Sequence, residues 1–130
     1  MLRTMVKGKI HRARVTQAKL HYTGSITIDR KLMSAADINA YELVHINSMA
    51  NAVHWETYAI PGNPGEICLN GCPARLFQPG DEVIILSLGQ YDESELADFA
   101  QKVVFVDSSN AIRSVETHLP METHSILVEA

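Results

Sequence analysis

Very little in this chain of 130 residues points to a covalent scaffold or a membrane. It has only two cysteines, Cys68 and Cys72. Two thiols four positions apart, without a His pair beside them, form neither a disulfide framework nor a zinc-finger spacing. They read as reduced thiols, and no metal ligand set is predicted. No apolar run approaches eighteen residues, and Met1 to Val15 is too interrupted by charge for a secretory signal. The expected location is the cytoplasm, with no membrane partner.

Positive charge is also scarce. Eleven Lys and Arg stand against fifteen Asp and Glu, giving a formal charge of -4 and a pI near 5.8. That balance argues against a nucleic-acid partner. Eight of the eleven cations fall early: Arg3, Lys7, Lys9, Arg12, Arg14, Lys19, Arg30 and Lys31. Such a stripe is ordinarily a solvated face, and an anionic small-molecule substrate would explain it equally well. Linkers and internal repeats are absent too, so residues 1–130 read as one domain. With 46% hydrophobic and 20% charged residues it is long enough for a real core.

What the chain does have is a succession of short β-like runs: 5–15, 25–28, 43–47, 53–60, 66–69, 82–88 and 103–107. Most are bounded by Gly, Pro, Asn or Asp. A mainly β fold follows, either a barrel or a sandwich. Asp29 is placed to cap a short helix containing Leu32, Met33 and Ala36. Asp92 is placed to cap another through Leu96, Phe99 and Ala100. Pro61-Gly62-Asn63-Pro64-Gly65 and Pro79-Gly80-Asp81 are turns.

The chemistry-bearing feature is Gly24-Ser25, within LHYTGSITID. Alone it is a turn dipeptide. A strained backbone that held the Ser25 hydroxyl against the Gly24 carbonyl would exchange the amide for an ester, and Gly supplies such strain at least cost. Elimination across Cα–Cβ of Ser25 would then release a chain ending at Gly24. Hydrolysis of the remaining dehydroalanine, with loss of ammonia, would leave a pyruvoyl group at the new terminus.

The surroundings favour that reading. Arg3-Thr4-Met5, Gly8-Lys9, Ile10-His11-Arg12 and His21-Tyr22-Thr23-Gly24-Ser25 occur in an order that resembles the pyruvoyl-dependent aspartate 1-decarboxylase family. Thr57-Tyr58-Ala59-Ile60, Leu69-Asn70-Gly71, the run from Pro79 to Ile85 and that from Lys102 to Asp107 continue the match. The resemblance covers roughly Met1 to Ile112, and the tail after Arg113 lies outside it.

The resemblance implies a small double-psi β-barrel with short flanking helices. It implies self-cleavage into 1–24 (the β chain) and 25–130 (the α chain), with the pyruvoyl group derived from Ser25 as the cofactor. The implied reaction converts L-aspartate to β-alanine and carbon dioxide for pantothenate synthesis. The implied assembly is a homotetramer with sites between subunits, and some family members need a maturation factor to cleave. The pyruvoyl ketone would condense with the substrate amine and accept the electrons left by departing carbon dioxide, the role pyridoxal phosphate plays elsewhere.

Carried over residue by residue, Ser25 and Tyr58 are the catalytic pair, with Tyr58 as proton donor. Thr57 assists cleavage at the scissile carbonyl. Lys9 meets a substrate carboxylate, and Asn70, Gly71, Cys72 and Pro73 line the substrate. Each also has a bland reading. Tyr58 is a half-buried strand residue, Thr57 a good strand former, Lys9 a surface cation and Asn70 to Pro73 a plain turn. His11, His21 and Tyr22 are assigned only to the neighbourhood of the cleavage site.

Four positions depart from the family pattern. Cys72-Pro73 stand where Ala is more usual, Asn47 replaces a Trp, and His54 replaces an Arg that grips the substrate carboxylate bidentately. His54 has no guanidinium fork and is only fractionally charged near neutral pH. Two other readings therefore stay open: a pyruvoyl-dependent decarboxylase of another amino acid, and a barrel that keeps its fold without processing.

Overall fold

The strands form where β-branched residues alternate with polar ones, and that alternation decides which side of each faces inward. A computed structural model of the protein describes residues 1–120. Within them the strands are β1 (Leu2–Arg14), β2 (Gln17–Lys19), β3 (Ser25–Asp29), β4 (Leu43–Ser48), β5 (His54–Gly62), β6 (Ile67–Asn70), β7 (Glu82–Asp92), β8 (Gln101–Val106) and β9 (Ile112–His118). Along β7, Val83, Ile85 and Ser87 turn inward; along β4, Val44, Ile46 and Ser48 do so. These inward rows meet Ile10, Ile26, Ile28, Leu32, Leu69 and Phe77 in one core. Each such side chain contributes about 1.5–3 kcal/mol relative to exposure.

Among the described residues the strands hydrogen-bond in the order β2-β6-β3-β5-β4-β7-β1-β8-β9. The fold is mainly β and barrel-like, as expected. The pairs β1/β8, β2/β6 and β3/β5 are parallel, while β3/β6, β4/β5 and β1/β7 are antiparallel. β3 therefore lies between β5 and β6, which puts the start of β3 beside two partner strands.

Asp29 caps the helix α1 (Arg30–Ala35), as the sequence predicts, accepting from Lys31 N at 2.8 Å. Its other carboxylate oxygen accepts from Gly65 N at 2.8 Å, so one buried side chain ties the end of β3 to the 61–65 turn. Gly8, at a register shift in β1, lets α1 approach: a Cβ there would lie 1.8 Å from the Ala36 carbonyl oxygen. Asp92 also caps a helical segment, but Glu93–Asp98 is a 3-10 turn without buried residues, and only Phe99 beyond it enters the interior. The spacing that predicted a buried helical face is satisfied by that one anchor.

β2 and β9 extend the predicted set. β9 lies mostly past the family resemblance, yet it pairs with β8 along its length. No helix among the described residues is long and apolar enough to cross a membrane.

Candidate functional site

Ser25 opens β3 at the point where the chain passes from surface to core. His21 to Gly24 are exposed, whereas Ser25 is 2% exposed. The peptide bond between Gly24 and Ser25 is trans. Antiparallel pairing sets Asn70 of β6 directly opposite Ser25. Asn70 Nδ2 donates to Ser25 Oγ at 2.9 Å and to Thr27 Oγ1 at 3.0 Å. Asn70 Oδ1 accepts from the Cys68 thiol at 3.3 Å. Burial pushes the Cys68 thiol up from its usual range, so it retains the proton it donates. The nucleophile candidate is thus held by a neutral amide, with a long contact of 3.4 Å to the Thr23 carbonyl oxygen as its other bond.

The next residue supplies the close approach. Gly71 has φ 84 and ψ -149, a region almost closed to other residues. A Cβ on Gly71 would stand 2.8 Å from Gly24 Cα, 3.1 Å from Gly24 N and 3.2 Å from the Tyr22 carbonyl oxygen. Gly24 itself has open space, with only the Asn70 carbonyl oxygen at 3.9 Å, and its φ is not positive. The strained glycine expected at Gly24 is therefore found across the contact, at Gly71. Cys72–Arg75 then form a 3-10 turn rather than a plain turn, with Cys72 exposed and Pro73 buried.

β5 brings the second pair. Ile26 is in parallel register with Ala59, so one step back along both strands sets Tyr58 level with Ser25. Tyr58 is half-buried, its ring centroid 6.0 Å from that of Tyr41. Thr57 precedes it, paired with Val44. Ser25, Thr57, Tyr58, Asn70 and Gly71 are thereby gathered around three adjacent strands.

Lys9 is not part of that group by strand order, since β1 is separated from β3 by β5, β4 and β7. Its ammonium has no ion pair or hydrogen bond among the described residues, although its backbone is in register with Leu86 and Val103. Lys7 on the same strand, by contrast, is committed to Glu42 at 3.3 Å and to Asp37, with Glu42 also accepting from Ser87 Oγ at 2.6 Å. His11 packs edge-on against Phe105 at 5.4 Å. His21 and Tyr22 are exposed, and Lys19 Nζ lies 5.6 Å over the Tyr22 ring.

His54 lies on the solvent side of β5, while its neighbour Trp55 packs against the core, as alternation requires. Its Nδ1 is 2.7 Å from Asn47 Oδ1 and its Nε2 is 2.8 Å from Glu56 Oε2. His45 Nε2 approaches the other oxygen of Glu56 at 3.6 Å. The hydrogen bond from His54, followed by the charge of His45, holds the Glu56 carboxyl below its ordinary range. His45 and Glu56 were not among the residues singled out from sequence. The spacing His54-x-Glu56 puts two polar groups on one strand face, but only the β4–β5 register adds His45.

The sequence profile of the aspartate decarboxylase family matches residues 1–113. The chain is 51% identical over 120 residues to the aspartate 1-decarboxylase of Clostridium beijerinckii, covering 91% of this chain and 97% of that protein. It is 52% identical over 120 residues to that of Clostridium botulinum, with the same coverage. To the aspartate 1-decarboxylase of Neisseria meningitidis it is 50% identical over 125 residues, covering 95% of this chain and 98% of the relative.

Proposed function

The chain belongs to the aspartate decarboxylase family, and from that premise we propose that it is a lyase converting L-aspartate to β-alanine and carbon dioxide after cutting itself between Gly24 and Ser25. The observation that carries this reading is the buried Ser25 hydroxyl, held by Asn70 Nδ2 at 2.9 Å directly after Gly24, whose backbone is in close contact with Gly71. A serine fixed next to its own preceding carbonyl is positioned for intramolecular attack, which saves the entropy of bringing the groups together. Ser25 Oγ bonds to the Gly24 carbonyl carbon as the C–N bond breaks, and Thr57 supports the developing oxyanion. Loss of the Ser25 Cα proton expels the Gly24 carboxylate. Water then replaces nitrogen, which leaves as ammonia.

The residues around Ser25 suit the resulting pyruvoyl group, because the group takes the volume of the side chain it derives from and the rungs from Ile26–Leu69 onward use none of the atoms lost. When present, it supplies an electron sink for the pair left by departing carbon dioxide. The chain's own groups do the rest. Tyr58, level with Ser25, donates a proton to the substrate carbon. Asn70, Gly71, Cys72 and Pro73 present donors and acceptors to the substrate. Lys9 offers an uncommitted ammonium to its side-chain carboxylate. His54 adds positive charge when protonated, although both its nitrogens already have partners.

Lys9 and Ser25 sit on separated strands, which favours assembly as a homotetramer with the site completed between subunits. The exposed Tyr22, Tyr41 and Leu43 offer surface for it. β-Alanine would feed pantothenate synthesis in the cytoplasm, with a maturation factor assisting cleavage if the isolated chain is slow. A second reading, decarboxylation of another amino acid, is favoured by Asn47 and His54 together with Glu56, whose carboxylate already engages His54 Nε2 at 2.8 Å and would repel a substrate anion brought to that ring.

Intact mass measurement tests the reading. Matured protein should give fragments of 24 and 106 residues, the larger lighter by one ammonia than a serine-started chain. Ser25→Ala should stay uncut. A persistently single chain under maturing conditions, or a cleaved Ser25→Ala, would overturn it. Turnover with aspartate, glutamate and neutral amino acids separates the two substrates' readings.

A further inference from the structure

The β4–β5 hairpin carries a second cluster on its solvent face. His45 and Glu56 are directly opposed across the two strands, and Asn47 and His54 form the next rung on the same face. One ligand atom from each of His45, His54 and Glu56 lies within 4.8 Å of the other two. The His rings meet edge to face at 5.0 Å.

Hydrogen-bond bookkeeping makes this arrangement chemically specific. Asn47 Oδ1 is an acceptor, so the His54 Nδ1 at 2.7 Å carries the hydrogen. The neutral ring then directs its Nε2 lone pair at Glu56 Oε2, 2.8 Å away. Two acceptors at that separation share a proton on Nε2, and a metal ion can replace that proton if the Glu56 oxygen draws back by about 0.5 Å. His45 Nε2 faces the second Glu56 oxygen at 3.6 Å. A tetrahedral zinc ion with bonds near 2.0–2.1 Å separates its ligand atoms by about 3.3 Å. The separations of 2.8 Å and 3.6 Å run to different oxygens of Glu56, so a single ion would need the exposed Glu56 side chain to turn until one oxygen, or both together, faces the two imidazoles.

We propose that His45, His54 and Glu56 bind a divalent transition-metal ion, with Asn47 orienting His54. Two imidazoles and a carboxylate suit zinc or cobalt, whereas magnesium and calcium prefer oxygen ligands throughout. Both strands are paired on each side within the sheet, so the ligands are mounted on a rigid base. The outward exposure of His54 and Glu56 leaves the fourth position to water or an anion. Nothing in this site uses Ser25, so the inference goes beyond the decarboxylase reading. An ion on His54 Nε2 would occupy the atom that ring would otherwise turn toward a substrate carboxylate.

Direct binding tests it, independently of turnover. Full-length protein stripped with a chelator and desalted is titrated with cobalt(II), followed by visible absorption, and with zinc in competition with a chromophoric chelator. The expected result is one ion per chain, with cobalt bands of four-coordinate intensity and no thiolate charge-transfer band. Asn47→Ala should weaken zinc affinity roughly 10-fold to 100-fold, as loss of an orienting partner does. His45→Ala and Glu56→Gln should weaken it at least as much as about tenfold. Cys72→Ser should leave it unchanged. Because Glu56→Gln preserves shape at an exposed position, it keeps the test meaningful if His45→Ala fails to fold. Failure of the wild type to bind one zinc or cobalt ion per chain in these titrations, retention of full affinity in Glu56→Gln, or its loss in Cys72→Ser would each overturn the proposal.

Discussion

The substitution Gly71→Ala adds one methyl group at the point where β6 meets the cleavage bond. Two costs follow from the structure. At φ 84 and ψ -149 a residue with a Cβ is strained by about 1–3 kcal/mol. The new carbon would also start 2.8 Å from Gly24 Cα. That neighbour is backbone and cannot swing aside as a long side chain would, so a further ~1 kcal/mol for displacement is expected. The total, about 2–4 kcal/mol, is a large part of the stability of a domain this size. With an unfolding entropy near 2.1 cal/mol/K per residue, it corresponds to a fall in Tm of roughly 7–15 °C. Because the displaced atoms are Gly24 and Tyr22, the loss should be accompanied by slowed cleavage at temperatures where the variant is still folded. Calorimetry gives the first quantity and a mass-spectrometric time course the second. A variant that melts within about 2 °C of wild type and cuts itself at the wild-type rate would refute the claim that this close approach organises the site.

Tyr58→Phe keeps the ring against Tyr41 and removes only the hydroxyl. Self-cleavage should proceed while decarboxylation falls roughly 100-fold or more, the usual contribution of a placed proton donor; unchanged turnover excludes Tyr58 from that role. Glu82 is paired with Arg12 at 3.1 Å, and that hydrogen bond holds its carboxyl below the ordinary carboxylate range. A pKa depressed in the folded state contributes stability that is present above the unfolded value and is lost as pH falls through the folded one. The Tm gap between wild type and Glu82→Gln should therefore be small but constant near neutrality, and should close below about pH 4.5. A gap that widens on acidification would mean that the ion pair does not stabilise the β1–β7 pairing.

What the sequence alone determined is local. Period-two alternation is carried by each strand itself, so seven of the runs and the inward rows of β4 and β7 could be read without knowing their partners. Asp29 announces α1 because a cap acts on amides only two residues away. The motif around Gly24-Ser25 and the pair Thr57-Tyr58 could be recognised for the same reason, being continuous in the chain. β2 was too short to show a period, and β9 is edge-like and largely exposed, with the weak alternation that follows. What only the tertiary structure decided depends on register. Asn70 reaches Ser25 across 45 positions, Gly71 rather than Gly24 takes the left-handed backbone, and His45 joins His54 and Glu56 through the β4–β5 ladder. A one-residue slip in any of these pairings would turn the side chain to the opposite face. These contacts are fixed by burying the inward rows together, which is a property of the whole sheet and of no single segment.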